Sequence, residues 1–249
     1  MNEQNIKEEK MIEKAAGVLG GLGPLATVYF MELIIMNTKV SCDQDHLNMV
    51  VLNHATIPDR TDFIVGKSDD NPLPIMIEDA KKLEIAGADF IVMPCNTAHH
   101  FYEEIRKNVK IEMVSIIEET IIYAVDTVPN LKKIGILATE GTIKSKTYDL
   151  ECQKRGIICE IPTDSELKLL MHIIYDEIKA GHRGNPKELY EIINSMIARG
   201  CDAVVLGCTE LSVMYEENNI HDEMIIDSLT ALARKTIIRG GKKIRMPQE

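Results

Sequence analysis

Two cysteines stand at equivalent places in a stretch of sequence that occurs twice in the chain. Residues 87–100 read G-A-D-F-I-V-M-P-C-N-T-A-H-H, and residues 200–211 read G-C-D-A-V-V-L-G-C-T-E-L. Aligning the two stretches matches Cys95 with Cys208. Each cysteine follows a short apolar run that predicts a strand, and each precedes a run that predicts a helix. The sequence therefore places one thiol in each of two similar halves.

This position suits acid/base chemistry by the thiols. Open α/β sheets bind ligands at the carboxyl ends of their strands, and the unpaired N–H groups at a helix start stabilise a thiolate. If the two halves face each other, both thiols point into a shared cleft. One thiolate can then remove a proton from one face of a carbon atom while the other thiol returns a proton to the opposite face. The pair therefore favours proton exchange at a stereocentre.

A single nucleophilic cysteine is the competing chemistry, with His99 or His100 as its base. That chemistry needs only Cys95 and gives no reason for Cys208 to recur. The other cysteines lack the C-x-x-C or Cys/His spacing of a zinc site, and we interpret them as ordinary buried or surface residues; they are Cys42, Cys152, Cys159 and Cys201. No metal site is predicted.

Apolar runs alternate with helical patterns along the chain. Four strand–helix units precede Pro129, and the pattern restarts at Lys133, which predicts α/β architecture with doubly wound, mainly parallel sheets. We expect two pseudo-symmetric domains with the active site in the cleft between them. The first would span residues 1–112, the second residues 113–222, and the C-terminal segment 223–249 would return to the first.

A glycine loop after the first predicted strand allows another interpretation. Gly21, Gly23 and Ala26 satisfy the G-x-G-x-x-A variant of the dinucleotide fingerprint. Against it, Pro24 removes a backbone donor, and Asn53 stands where a ribose-binding acid is needed. A nucleotide-binding oxidoreductase is therefore a weak alternative.

The formal net charge of −11 limits the classes of molecule that the protein can bind. No basic tract exists to neutralise phosphates, which argues against nucleic acid and anionic membranes. The sequence has no apolar run of about 18 residues and no secretory signal, so we expect a cytoplasmic protein.

Because the chain as a whole is acidic, a site for an anion must be locally basic. Arg60, in I-P-D-R-T after the second strand, is therefore a candidate carboxylate clamp. Spacing alone explains Lys179 as a charge at a helix C-terminus.

Taken together with G-G-L-G-P-L-A-T, I-P-D-R-T and A-T-E-G-T, the cysteine motifs resemble those of the aspartate racemases in the cofactor-independent aspartate/glutamate racemase family, from about Ala15 to Ala233. The resemblance implies an enzyme that uses neither pyridoxal phosphate nor metal, with Cys95 and Cys208 as its acid/base pair. It also implies an acidic amino acid as substrate, and a homodimer.

The resemblance assigns roles to further residues. Arg60 and Lys179 would hold the side-chain carboxylate, and Asp59 and Glu210 would support the clamp and the thiols. Four polar residues would surround the α-amino and α-carboxylate groups: Asn96, Thr97, Thr139 and Thr209. Glutamate racemases usually have D-S-G in the first loop and C-T-H at the second cysteine, whereas this chain has G-G-L-G-P and C-T-E, which favours aspartate. A broad aspartate/glutamate racemase and a non-catalytic amino-acid-binding protein are the alternatives.

Overall fold

The computed structural model describes residues 13–218 and 222–245 and contains two four-stranded parallel sheets. The first sheet has the order β2-β1-β3-β4 and the second the order β6-β5-β7-β8. The strands are β1 (Ala16–Gly20), β2 (Met49–Asn53), β3 (Phe90–Val92), β4 (Glu112–Val114), β5 (Lys133–Leu137), β6 (Ile158–Glu160), β7 (Ala203–Leu206) and β8 (Ile225–Asp227). The identical strand order confirms the predicted α/β class with two pseudo-symmetric sheets.

Helices connect the strands and cover both faces of each sheet. The α-helices are α1 (Pro24–Asn37), α2 (Arg60–Val65), α3 (Leu73–Ile85), α4 (Tyr102–Arg106), α5 (Ile116–Thr127), α6 (Glu140–Ser145), α7 (Thr147–Lys154), α8 (Asp164–Met171), α9 (Pro186–Ala198), α10 (Thr209–Glu217) and α11 (Ser228–Arg239). No helix of the described residues is long and apolar enough to cross a membrane.

The repeat extends to the contacts of single residues. Gly87 and Gly200 both have a positive φ, 92° and 85°, where a side chain would be strained. Two residues later, the carboxylates of Asp89 and Asp202 each accept a hydrogen bond from a backbone N–H at the start of the central strand of their own sheet, at 2.7 and 2.9 Å. Residues at equivalent positions of the repeat thus make equivalent contacts in the two halves.

The apolar core has three parts. One part lies on the outer face of each sheet, and the third lies between the sheets, where residues of β1, β3, β5 and β7 pack with α1, α5 and α11. Because α11 packs against α1 and α5, the end of the chain returns to the first half. A bridge between Thr38 and Ile244 extends this return.

Strand pairing bears on the predicted domain division. β4 continues the first sheet as far as Val114, and β8 pairs with β7 in the second sheet before α11 returns to the first half. The division at residues 112 and 222 stays a prediction. Its outer ends, together with residues 219–221, lie outside the described residues.

Candidate active site

The two cysteines occupy equivalent strand–helix junctions. Cys95 follows β3 and precedes a 3₁₀ helix over Thr97–Phe101, and Cys208 follows β7 and is the N-cap residue of α10. Both side chains are buried. The α-helix expected immediately after Cys95 begins only at Tyr102, because the Cys95 carbonyl accepts a hydrogen bond from the His99 ring at 2.8 Å and the His99 backbone N–H bonds to Asn96 instead.

Both thiols line one cavity between the halves, with an empty volume of about 250 Å³, which we call the thiol chamber. Its wall contains all ten residues singled out from the sequence: Cys95, Cys208, Arg60, Asn96, Thr97, Thr139, Lys179, Thr209, Asp59 and Glu210. Leu22, Thr61 and Tyr175 complete the wall and were not predicted. The structure therefore brings the predicted residues together, while their individual roles stay predictions.

A second and larger cavity opens beside the thiol chamber. This outer cavity is open to solvent, has an empty volume of about 900 Å³ and shares four lining residues with the chamber: Asp59, Arg60, Lys179 and Glu210. The two spaces therefore meet at a charged rim that holds two cations and two carboxylates.

Burial dominates the protonation of both thiols. It raises the pKa of Cys95, although the nearby guanidinium of Arg60 partly opposes this effect. It raises the pKa of Cys208 well above the ordinary value, and the carboxylate of Glu210 raises it further. At neutral pH both groups are therefore thiols in the ligand-free protein.

Glu210 breaks the symmetry of the two halves. Its Oε2 atom accepts hydrogen bonds from the Cys208 thiol at 3.0 Å and from the Thr209 hydroxyl at 3.4 Å. The residue at the same distance after Cys95 is Thr97, which cannot take up a proton. Cys208 thus has a carboxylate base at its side and Cys95 has none in the equivalent position.

The glycine loop makes room for this carboxylate. A Cβ atom on Gly23, the N-cap residue of α1, would lie 2.8 Å from the Glu210 Oε1 atom. Gly21 has a φ of 87°, and a Cβ atom there would meet the backbone of His54. Because a carboxylate faces the loop, it repels the phosphate that a dinucleotide would bring. The structure thus opposes the nucleotide-binding alternative.

Arg60 is a buried cation, with 6% of its surface exposed. It starts α2 and donates hydrogen bonds to the backbone carbonyls of Leu22, Ile57 and Pro58 at 2.7, 3.2 and 3.1 Å. Its Nε atom is buried and has no partner, and among the described residues no carboxylate forms an ion pair with it. A buried donor without a partner is costly, so this guanidinium is poised to receive an anion.

Lys179 faces Asp59 and Tyr175. Its Nζ atom lies 3.3 Å from an Asp59 carboxylate oxygen and 4.2 Å from the centre of the Tyr175 ring, and the tyrosine hydroxyl donates to Asp59 at 3.1 Å. Burial alone would lower the pKa of Lys179, but Glu210, Tyr175 and Asp59 outweigh it and raise the pKa. For Asp59, the positive charge of Lys179 and other contacts outweigh burial and lower the pKa. Both groups are charged at neutral pH.

A π-helical turn sets the positions of Tyr175 and Lys179. The turn covers His172–Ile178 after α8, and the Lys179 backbone N–H bonds to the carbonyl of Ile174, five residues back. Such turns are rare and frequently found at functional sites. Because the extra residue rotates the chain, the helical spacing in the sequence gave no signal for Tyr175.

Hydroxyl groups from both halves meet at another part of the chamber wall. The side-chain oxygens of Thr97, Thr139 and Thr142 lie 2.9 to 3.1 Å apart, and Thr61 donates to Thr139 at 3.2 Å. Gly141 permits this contact, because a Cβ atom there would lie 2.9 Å from the Thr61 Cα atom. The cluster offers several donors and acceptors to a ligand in the chamber.

Asn96 is held in place by both halves. Its amide donates to Ser228 at 3.0 Å, and its oxygen accepts a hydrogen bond from the Tyr148 hydroxyl at 2.6 Å. These two hydrogen bonds fix the orientation of the Asn96 side chain beside Cys95.

The histidines after Cys95 do not serve as bases in this arrangement. His99 is buried, its Nδ1 donates to the Cys95 carbonyl, and its Nε2 accepts from the Ile116 backbone N–H at 3.1 Å. Burial lowers its pKa to about 4. His100 is exposed and does not line the chamber. The single-nucleophile alternative thus lacks the base that it requires.

Among the described residues, no group of three or more His, Cys, Asp or Glu side chains is arranged to hold a metal ion.

Comparison with known proteins adds relatives that cover most of the chain. The family described as Asp/Glu/Hydantoin racemase matches residues 19–236. The broad specificity amino-acid racemase RacX of Bacillus subtilis (strain 168) is 31% identical over 227 residues, which cover 89% of this chain and 96% of that protein.

Solved structures of racemases and their homologues also match most of the chain. The aspartate racemase of Picrophilus torridus is 31% identical with a TM-score of 0.77, over 93% of this chain and 96% of that one. An aspartate racemase homologue from Pyrococcus horikoshii OT3 is 24% identical with a TM-score of 0.71, over 92% of this chain and 99% of that one, and supports the fold alone.

Proposed function

The chain belongs to the Asp/Glu/hydantoin racemase family, and from that membership we propose that it interconverts L- and D-aspartate by proton transfer between two thiols. The observation that carries the proposal is the thiol chamber, in which Cys95 and Cys208 share one buried space with Arg60 and Lys179. Two thiols in one chamber, one from each half, suit proton exchange, and two cations suit an acidic side chain.

Binding would start at the charged rim. The unpartnered Nε–H of Arg60 offers a hydrogen bond to the side-chain carboxylate of the substrate. Lys179 replaces its ion pair with Asp59 by an ion pair with the same substrate carboxylate. The α-amino and α-carboxylate groups then face the hydroxyl cluster and Asn96. This orientation places Cα between the halves, where the thiols lie.

The chemical step moves two protons. A thiolate on one side takes the Cα proton, so the C–H bond breaks, an S–H bond forms, and the electron pair is delocalised into the α-carboxylate. The thiol on the other side gives its proton to the opposite face of Cα and becomes the thiolate. Glu210 can accept the proton of Cys208, and Arg60 favours the thiolate of Cys95. The ammonium group of the substrate is bonded to Cα, and its positive charge favours the cysteine that is the thiolate.

A broad aspartate/glutamate racemase is the second candidate. RacX, whose description states broad specificity, favours it. Incubating the purified protein with each amino acid and separating the enantiomers by chiral chromatography would rank the substrates.

The deciding experiment uses deuterium oxide and matched cysteine variants. D-Aspartate formed from L-aspartate should carry solvent deuterium at Cα, because the returning proton comes from an exchanged thiol. Cys95→Ser and Cys208→Ser should each lower racemisation by roughly 100-fold or more, since a hydroxyl is a much weaker acid and base. Cys42→Ser, which alters an exposed thiol, is the control. Near wild-type racemisation after loss of Cys95 or Cys208 would reject the two-base mechanism.

Each single variant keeps one working thiol. It should still eliminate a leaving group from a β-substituted analogue of one enantiomer, with opposite chirality in the two variants.

We further propose that the enzyme needs no cofactor and acts as a homodimer. Turnover should survive dialysis against a chelator without a pyridoxal absorbance, and sedimentation should give twice the chain mass. Loss of activity on removal of a bound cofactor would contradict the proposal that no cofactor is needed. An active monomer would contradict the proposed homodimer.

A further inference from the structure

Beyond the four residues that it shares with the thiol chamber, the outer cavity has no part in the reaction proposed above. It lies next to the chamber, and the shared residues border both spaces. Ten of its 14 lining residues are glycine, alanine, proline, valine, leucine or isoleucine. The remaining four are the charged residues of the shared rim, Asp59, Arg60, Lys179 and Glu210. Away from that rim, the wall therefore offers no polar side chain.

The direction in which a ligand would enter this space follows from the two walls. Asn96 and three hydroxyl groups of the cluster, those of Thr61, Thr97 and Thr139, line only the thiol chamber. Arg60 and Lys179 line both spaces. An acidic amino acid with its α-groups at the hydroxyl cluster and its side-chain carboxylate at the rim points its far end toward the outer cavity. A substituent on the carbon that bears this carboxylate can then reach the outer cavity.

The chemistry of the wall selects the kind of substituent. Beyond the rim a polar group would find no polar side chain to replace the water that it displaces, whereas an apolar group loses no hydrogen bonds there. The wall comes from both halves: Pro24 and Leu25 at the start of α1, Ile57 before α2, Ile178 at the end of the π-helical turn, and Val213 on α10.

We propose that the outer cavity is a binding subsite for an apolar group carried on the side chain of an acidic amino acid. The orientation of the ligand rests on the proposed racemase function, but the binding does not require turnover. Molecules of this class bind with their carboxylates at the rim and in the chamber and with the apolar group between α1 and α10.

The test compares two aspartate derivatives that differ only in the apolar group. β-Benzyloxyaspartate and β-hydroxyaspartate carry oxygen on the same carbon, so their difference isolates the benzyl group. Titration calorimetry on the full chain should give roughly tenfold or greater tightening by the benzyl group, because its aromatic surface leaves water. Racemisation of aspartate should be inhibited competitively in the same order.

Two variants on one helix supply a matched pair. Leu25, which lines the outer cavity, and Val28, one turn further along α1 and outside the lining, are exposed to 53% and 54%. Leu25→Asp should remove most of the benzyl advantage, and Val28→Asp should keep it. Ala55→Trp, which fills the cavity from an exposed loop, should also remove it.

The proposal is overturned if the benzyloxy compound binds no more tightly than the hydroxy compound, or if Leu25→Asp and Val28→Asp affect the benzyl advantage equally. Failure of the racemase proposal is distinct. In that case aspartate and glutamate are not racemised, while the calorimetric difference still decides whether the subsite exists.

Discussion

Replacing Glu210 by glutamine separates two roles that its carboxylate could have. As a base, Glu210 helps Cys208 to lose and regain its proton through the 3.0 Å hydrogen bond between Sγ and Oε2. As a charge, it opposes both thiolates, because it raises the pKa of Cys95 as well as that of Cys208. Glutamine keeps the shape and removes both effects.

The two roles predict opposite results. A buried hydrogen bond to a charged group contributes about 1.5 to 3 kcal/mol, so loss of the base should lower kcat/KM by roughly 10- to 150-fold. Loss of the charge alone lowers the pKa of both thiols and would raise the thiolate population and the rate. We expect the decrease, with Glu217→Gln on the same helix as the control, since Glu217 does not line the chamber.

The assay can also detect the asymmetry between the halves. L- and D-aspartate have equal free energies in solution, so kcat/KM must fall by the same factor in both directions. Proton transfer at Cys208 should become the slow step in Glu210→Gln. Aspartate deuterated at Cα should then show a larger isotope effect for the enantiomer whose proton Cys208 takes. Racemisation as fast as that of the wild type, or equal isotope effects for the two enantiomers, would refute the reasoning. Ultraviolet absorbance of the thiolate should meanwhile rise at lower pH in the variant.

The clamp, the glycine loop and His99 give three further predictions. Arg60→Ala and Lys179→Ala should each lower kcat/KM for aspartate by roughly 30-fold or more, and normal kinetics in both would mean that the carboxylate binds elsewhere. Gly23→Ala should lower kcat, because the new Cβ would lie 2.8 Å from Glu210 unless that side chain moves. For His99, the folded-state pKa of about 4 lies below the ordinary 6.5, so the unfolded chain takes up the proton first as the pH falls. Urea titrations should show stability falling by up to about 3 kcal/mol between these pH values, and less in His99→Gln.

Much of the site was accessible from the sequence because its main residues follow strands. Cys95 and Cys208 come just after the carboxyl end of a parallel strand, and the repeat indicated that they correspond. Arg60 begins the helix that follows β2. Motif resemblance added the substrate-binding roles of Lys179, Thr97 and Thr209, which spacing alone did not assign. All of them line the chamber.

The residues that were missed depend on three-dimensional contacts that a pattern does not encode. Tyr175 reaches Asp59 only because the preceding helix changes to π-helical geometry. Thr61 reaches Thr139 across the halves only because Gly141 allows a close approach. The first turn after Cys95 is 3₁₀ because a ring nitrogen of His99 takes the carbonyl that an α-helix would use.

The position of α11 has a consequence for synthesis on the ribosome. The last strand of the first sheet ends at Val114, but the core between the sheets is completed by Ser228–Arg239. At translation rates of about 5 to 20 residues per second, the roughly 125 intervening residues take roughly 6 to 25 s to appear. During that interval, the part of the first sheet's apolar face that α1 and α5 do not cover stays accessible to other chains. The nascent protein is therefore exposed to aggregation until α11 has emerged, and chaperones that hold emerging chains should associate with it during this interval.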